Sequence, residues 1–163
     1  MPVTLFEAET DLTLLGYVHA RQPDTDRIRT WEVAGTAHAD AQTLRSMLGG
    51  PRDPGIGSLL GCESINTGPH KEVVQALLHH LVVWAGGGGP PPPGDRIEVT
   101  EGDEPVIMRD DHQNAIGGVR NPLTDLPTAT LSGEPPVGAT VADLAGGSGD
   151  LCILFGKTVP FDQ

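Results

Sequence analysis

The chain has 163 residues, the size of one domain, with 37% apolar and 4% aromatic residues and a formal net charge of −12. No lysine or arginine cluster offsets that charge, so its field repels phosphate backbones and anionic headgroups, and neither nucleic acid nor a membrane surface is expected as a partner. With 22 glycines and 15 prolines, part of the chain is expected to be irregular. No apolar run reaches the length of a membrane span and the first residues lack a basic leader, so no targeting segment is read; the compartment stays unknown, cytoplasmic by default. Cys62 and Cys152 are too few for a disulfide framework or a four-thiolate site, and read as two small buried apolar residues.

In chain order, Val3 to Glu7 is β-prone and mostly apolar and runs into the polar turn Glu9-Thr10-Asp11. That strand starts at once, without a cap or turn before it, as if cut from a longer protein. Residues 12 to 18 could open a helix, and Arg21 to Arg29 reads as a charged surface loop. A second strand, Ile28 to Ala34, leads directly into Gly35-Thr36-Ala37-His38-Ala39-Asp40. Residues 49 to 69, rich in glycine and proline, read as loop with at most one short helical turn.

The clearest helix spans residues 70 to 85. Pro69 lies in its first turn, an apolar stripe runs through Val73, Val74, Leu77, Leu78, Leu81 and Trp84, and Gly86 begins the stop. The stripe should pack on a sheet. Gly86 to Gly94 reads as a low-complexity loop that is among the least packed parts of the chain. Short strand-like pieces follow at Arg96 to Thr100, Val106 to Arg109, Thr128 to Leu131 and Leu151 to Phe155.

The chemistry concentrates in the first forty residues. A carboxylate after one strand and a histidine after the next is the order in which a hydrolase of the α/β class presents the last two members of its triad. The acid must lie against the imidazole to hold its tautomer and to stabilise the imidazolium formed when a serine loses its proton. Other clusters read blandly. Asp110-Asp111-His112 are consecutive and point apart, so no metal is expected; His79 and His80 face different directions on their helix. Gly117-Gly118 reads as a tight turn with close backbone approach, and Arg120 and Asp125 either pair or stand as independent surface charges.

The strings FEAETD, RTWEVAGTAHAD, GPHKEVVQALLHHLVVW, RDDHQNAIGGVRNPLTDLPTATLSG and LFGKTVPFD resemble the C-terminal half of a bacterial α/β-hydrolase-domain family, over nearly the whole chain. The resemblance implies that the ETD turn carries the acid, Asp11 or Glu9 with Asp11 preferred, and that His38 is the catalytic histidine. It also implies a Gly-x-Ser-x-Gly elbow, which the sequence lacks. Gly146-Gly147-Ser148-Gly149-Asp150 misses the final glycine and reads as a flexible loop.

The expected fold is therefore α/β, a partial α/β-hydrolase fold comprising the last strands and helix of the central sheet. Residues 1 to 85 form the core portion, 86 to 94 a Gly/Pro loop, and 95 to 163 a β-rich, irregular extension. The expected function is that of the acid-and-histidine portion of a serine hydrolase acting on a small ester-like substrate, with no cofactor. Its partners would be the missing N-terminal half or, through exposed surface, another copy of itself. The alternative is a non-catalytic scaffold or interaction module derived from the same fold.

Overall fold

The computed structural model describes residues 1–47, 62, 64–135 and 151–161. Two strands, β1 (Val3–Ala8) and β2 (Ile28–Val33), pair in parallel with Val3 opposite Ile28 and Ala8 opposite Val33. Both therefore end at the same edge of the sheet, and the segments that follow them are neighbours. Backbone bonds from Val119 N–H to the Glu32 carbonyl and from Ala34 N–H to the Val119 carbonyl add a parallel bridge on the far side of β2. Thus β2 is flanked on both sides, and its residues from Thr30 to Val33 are all buried. On β1, by contrast, Ala8 alone is fully buried.

Alternation along β2 divides its side chains between two layers. Trp31 and Val33 point to one face, where they pack with Phe6, Val119 and the helix residues Val73 and Leu77. Thr30, Glu32 and Ala34 fall on the other face. There Ala34 joins Leu12 and three residues of the irregular segment that begins after residue 94, Ile97, Ile107 and Ala115. That segment is held by isolated antiparallel bridges, Ile97 with Gly117, Val99 with Ile107 and Arg109 with Ala115. Gly117 and Gly118 have φ of 76° and 74° there, and a side chain on either would meet the backbone or side chains of residues 96 and 97.

Several expectations need correcting. The turn after β1 is a short helix, α1 (Glu9–Leu12), so helix begins earlier than residues 12 to 18; turn residues and Gly16 at φ 77° end it, and a 3-10 helix follows at Tyr17–Ala20. A further helix, α2 (Ala41–Met47), follows the His38 loop, with Asp40 accepting from Thr43 N–H at 2.6 Å. The long helix, α3 (His70–Ala85), lies where the periodicity puts it and packs on the sheet, yet only Leu77 is fully buried; Leu78, Val82 and Val83 are exposed. Gly86 to Gly94 is not loose throughout. Pro91 is buried, the Pro92 carbonyl accepts from the Trp31 indole at 2.9 Å, and Gly94 lies against Trp31 and Val119.

After the short helix α4 (Pro122–Asp125), β3 (Ala129–Ser132) pairs antiparallel with β4 (Lys157–Pro160). Leu151 to Phe155 is not a strand: Leu151–Leu154 forms a 3-10 helix. Short apolar runs do not distinguish the two by periodicity alone. The Gly49–Gly57 stretch and the Gly146–Asp150 loop lie outside the described residues.

The two cysteines are not separate buried thiols but a disulfide, Cys62 to Cys152, with a Cα–Cα distance of 5.3 Å. It lies in a third apolar cluster with Leu44 and Phe155, against which Ala39 and Ile65 pack. Closing a loop of this length restricts the unfolded chain, by about 4–5 kcal/mol in the loop-entropy limit. Disulfides persist in oxidising compartments and are rare in the cytosol. Denaturant titration with and without reductant, repeated on Cys152→Ser, should show a loss of about 2–5 kcal/mol on opening the bond. An unchanged midpoint would mean that the bond is not formed in solution.

Candidate active site

The two loops at the shared end of the parallel strands carry the candidate residues. Asp11, on α1, turns back so that its Oδ2 accepts from the Ala8 N–H at 2.7 Å. Its other oxygen, Oδ1, lies 2.6 Å from His38 Nδ1. A neutral imidazole paired in this way to a carboxylate carries its proton on Nδ1, leaving Nε2 with the lone pair. The side chain of Asp11 is 15% exposed and that of His38 47%, so the acid is sheltered and the imidazole reaches outward.

Glu9, the other candidate acid, is engaged elsewhere. It is fully buried; Oε1 accepts from Gly35 N–H at 2.7 Å, and Oε2 from Gly133 N–H at 3.0 Å and the Arg109 guanidinium at 2.9 Å. Full burial raises its carboxyl above the ordinary range, opposed by Arg109 and the two amides. Every group touching its oxygens is a donor, the environment of an ionised carboxylate. Arg109 continues the network to Glu134 at 3.0 Å, lowering that carboxyl, and Lys157 stands 3.4 Å from the same Glu134.

The His38 loop is held from several sides. Glu9 N–H donates to the Thr36 carbonyl at 3.2 Å. The Thr10 hydroxyl accepts from His38 N–H at 3.2 Å and donates to the Gly133 carbonyl at 2.7 Å. Buried Asn66 donates to the carbonyls of Gly35 and Ser132, both at 3.1 Å. His70, at the start of α3, lies with Nδ1 2.9 Å from the Ala37 carbonyl, and Ala39 N–H donates to the Leu154 carbonyl at 3.0 Å. Gly35, at φ 76°, faces Thr124 and Leu131 closely enough that a Cβ would sit 2.8 Å from the Thr124 methyl. Sequence reasoning missed Thr10, Asn66 and Arg109 because their partners are distant in the chain.

The remaining candidates stay apart from this pair. Asp110 Oδ1 accepts from the amides of His112 and Asn114, closing a local turn, and His112 stacks on Phe161. His80 packs edge-on against Trp31. Arg120 pairs with Asp125 at 2.6 Å and also donates to the carbonyls of Ala115 and Thr124. Among the described residues, no group of three His, Cys, Asp or Glu is arranged to hold a metal ion, and no helix is long and apolar enough to cross a membrane.

Parallel strands covered by a helix on one face, with a carboxylate–imidazole contact across their ends, make this an α/β protein. A family model described as an alpha/beta hydrolase domain matches residues 1–163, and the chain belongs to that family. No curated protein and no solved structure matches it.

Two measurements follow. Replacing Glu9 by Ala leaves Arg109 and two amides without their shared acceptor and should cost about 3–5 kcal/mol; a loss below 1 kcal/mol in chemical denaturation would contradict the buried ion pair. Glu7, half-buried near Asp11 and Glu32, has its carboxyl pushed up to about 7, first by burial and then by those two acids. A carboxyl that holds its proton more tightly when folded stabilises the fold at low pH. That stability is present below its ordinary value of 4.5 and is lost as pH rises through about 7. Glu7→Gln should therefore be nearly neutral at pH 4 and stabilising at pH 8, on the order of 1 kcal/mol after allowance for solvent screening. Equal effects at both pH values would contradict the raised carboxyl.

Proposed function

We propose that the chain supplies the acid and the histidine of a serine-hydrolase triad, Asp11 and His38, and that the nucleophile comes from outside these 163 residues. The observation that carries this reading is the 2.6 Å contact of His38 Nδ1 with Asp11 Oδ1 across the ends of two parallel strands. Family membership supports it. The sequence has no Gly-x-Ser-x-Gly elbow, so the serine and its oxyanion donors are assigned elsewhere.

The reaction is ester hydrolysis. His38 Nε2 takes the serine proton as the serine oxygen bonds to the acyl carbon, and the imidazolium is stabilised by Asp11. Collapse of the tetrahedral intermediate breaks the bond to the leaving oxygen, which receives that proton and departs as an alcohol. Water then attacks the acyl-serine, giving a proton to Nε2 and releasing the acid; Nε2 returns its proton to the serine. Glu9 holds the loops rather than the imidazole.

The missing elbow favours a second reading, a non-catalytic module in which the pair survives as structure. A p-nitrophenyl ester assay separates the two. The 163-residue chain should show no turnover beyond the background of a free imidazole. A longer polypeptide joining it to an upstream-encoded segment with a Gly-x-Ser-x-Gly elbow should turn over, and should lose about 10³–10⁴-fold in kcat with His38→Ala or Asp11→Asn, with folding verified by circular dichroism. Serine-dependent turnover by the short chain, or an inert folded long one, would overturn the proposal.

A further inference from the structure

We propose that the apolar hollow beside His38 receives the alcohol portion of a neutral ester, an inference that rests on His38 being the base and acid of the site. The hollow has a volume of about 420 Å³ and is walled by His38 together with Leu44, Met47, Leu151, Leu154 and Phe155. That volume lies within the range of small-molecule sites, roughly 300–1,000 Å³. Among the described residues its walls hold no ionisable group apart from the imidazole, and Thr43 is their one other polar side chain, so an apolar group gains by entering and a charged one loses its hydration without compensation.

Proton transfer decides which part of the ester lies there. The imidazole must hand its proton to the leaving oxygen, which therefore comes within about 2.6–3.2 Å of Nε2. Whatever that oxygen carries begins beside the same residue that lines the hollow. The acyl carbon instead lies toward the serine and the oxyanion donors, which the proposed function assigns to another segment. Net charge adds to the selection: a chain at −12 disfavours anionic ligands and favours departure of the carboxylate product.

The hollow is also built in advance. Leu44 and Phe155 are buried in one cluster with both cysteines, so the disulfide ties the 3-10 helix that carries Leu151 and Leu154 to the chain at residue 62. The bond from Ala39 N–H to the Leu154 carbonyl fixes that same helix against the residue next to His38. A larger groove of about 590 Å³ between α2, α3 and residues 119–123 includes neither Asp11 nor His38, and it lacks this connection to the chemistry.

The test is an NMR titration of the 163-residue chain with ethanol, 1-butanol, 1-hexanol and hexanoate, following the methyls of Leu44 and Leu154 and the His38 ring. Saturable shifts at these groups should appear with affinity rising about fourfold per added methylene, and hexanoate should bind at least tenfold more weakly than 1-hexanol. Met47 and Leu151 are 75% and 50% exposed, so Met47→Asp and Leu151→Asp should leave the fold intact while weakening 1-hexanol at least fivefold. Val82→Asp, on the exposed face of α3, should change nothing. No saturable shift, equal binding of hexanoate, or an equal loss with Val82→Asp would overturn the assignment. Alcohol binding in a chain whose longer form is inert toward esters overturns the triad reading, and the ester with it. An active longer form whose short chain binds no alcohol overturns the hollow alone.

Discussion

A carboxylate with no exposed surface stands at the joint between the two strand ends, and the geometry of the site depends on it. Removing Glu9 from water costs several kcal/mol unless its oxygens are met by charge and by donors. They are met by Arg109, Gly35 and Gly133, which come from three separate parts of the chain. Satisfying one buried charge therefore fixes the turn after β1, the loop after β2 and the segment that closes over them. Asp11 follows Glu9 on the same short helix and His38 lies just beyond Gly35, so the bonds of Glu9 bring the two loops together, and those of Asp11 to Ala8 and His38 to Thr10 complete the 2.6 Å approach.

Glu32 repeats the device within the strand. Its buried carboxylate takes two bonds from Arg21 and one from the Ile97 N–H, with Arg96 3.5 Å away. Two acids on the faces and ends of a small parallel sheet thus anchor the irregular second half onto the first. Such pairs contribute less to net stability than their geometry suggests, because desolvation offsets much of the attraction; their effect is to admit one arrangement of the loops. Burial of a second layer against Ala34 then supplies the apolar gain that specific pairing does not.

The elements that were legible in the sequence are those written in local periodicity. β1, β2 and residues 70 to 85 show their patterns within a few residues, and the loops between them follow from glycine and proline. The site was half legible. The ETD turn and His38 could be placed after their strands, but Glu9 and Asp11, two positions apart on one helical turn, point in different directions, and nothing local says which faces the ring. Only the long-range donors resolve it. The disulfide, the Thr10 bond to Gly133 and the Asn66 bonds join residues too far apart for spacing to reveal. Leu151 to Phe155 read as strand because it is short and apolar, while in the fold its one-turn helix is fixed by Cys152 and by the Ala39 amide.

An asymmetry in the sheet bears on what the chain can do by itself. The bonds that set Asp11 against His38 lie at the ends of β1 and β2 and run toward residues 66, 109, 133 and 154, all within the chain. On the other side, β1 pairs only with β2 among the described strands, and α3 leaves Leu78, Val82 and Val83 in solvent. The acid–base pair is thus assembled without help from whatever covers that apolar surface. A covering segment could add a nucleophile, donors or stability, but it would meet an imidazole already oriented. On the proposed reading of the site, that separates two properties: orientation of the imidazole, which needs contacts of the kind Glu9 and Asp11 make within the chain, and attack on a substrate, which would need a serine aimed at Nε2.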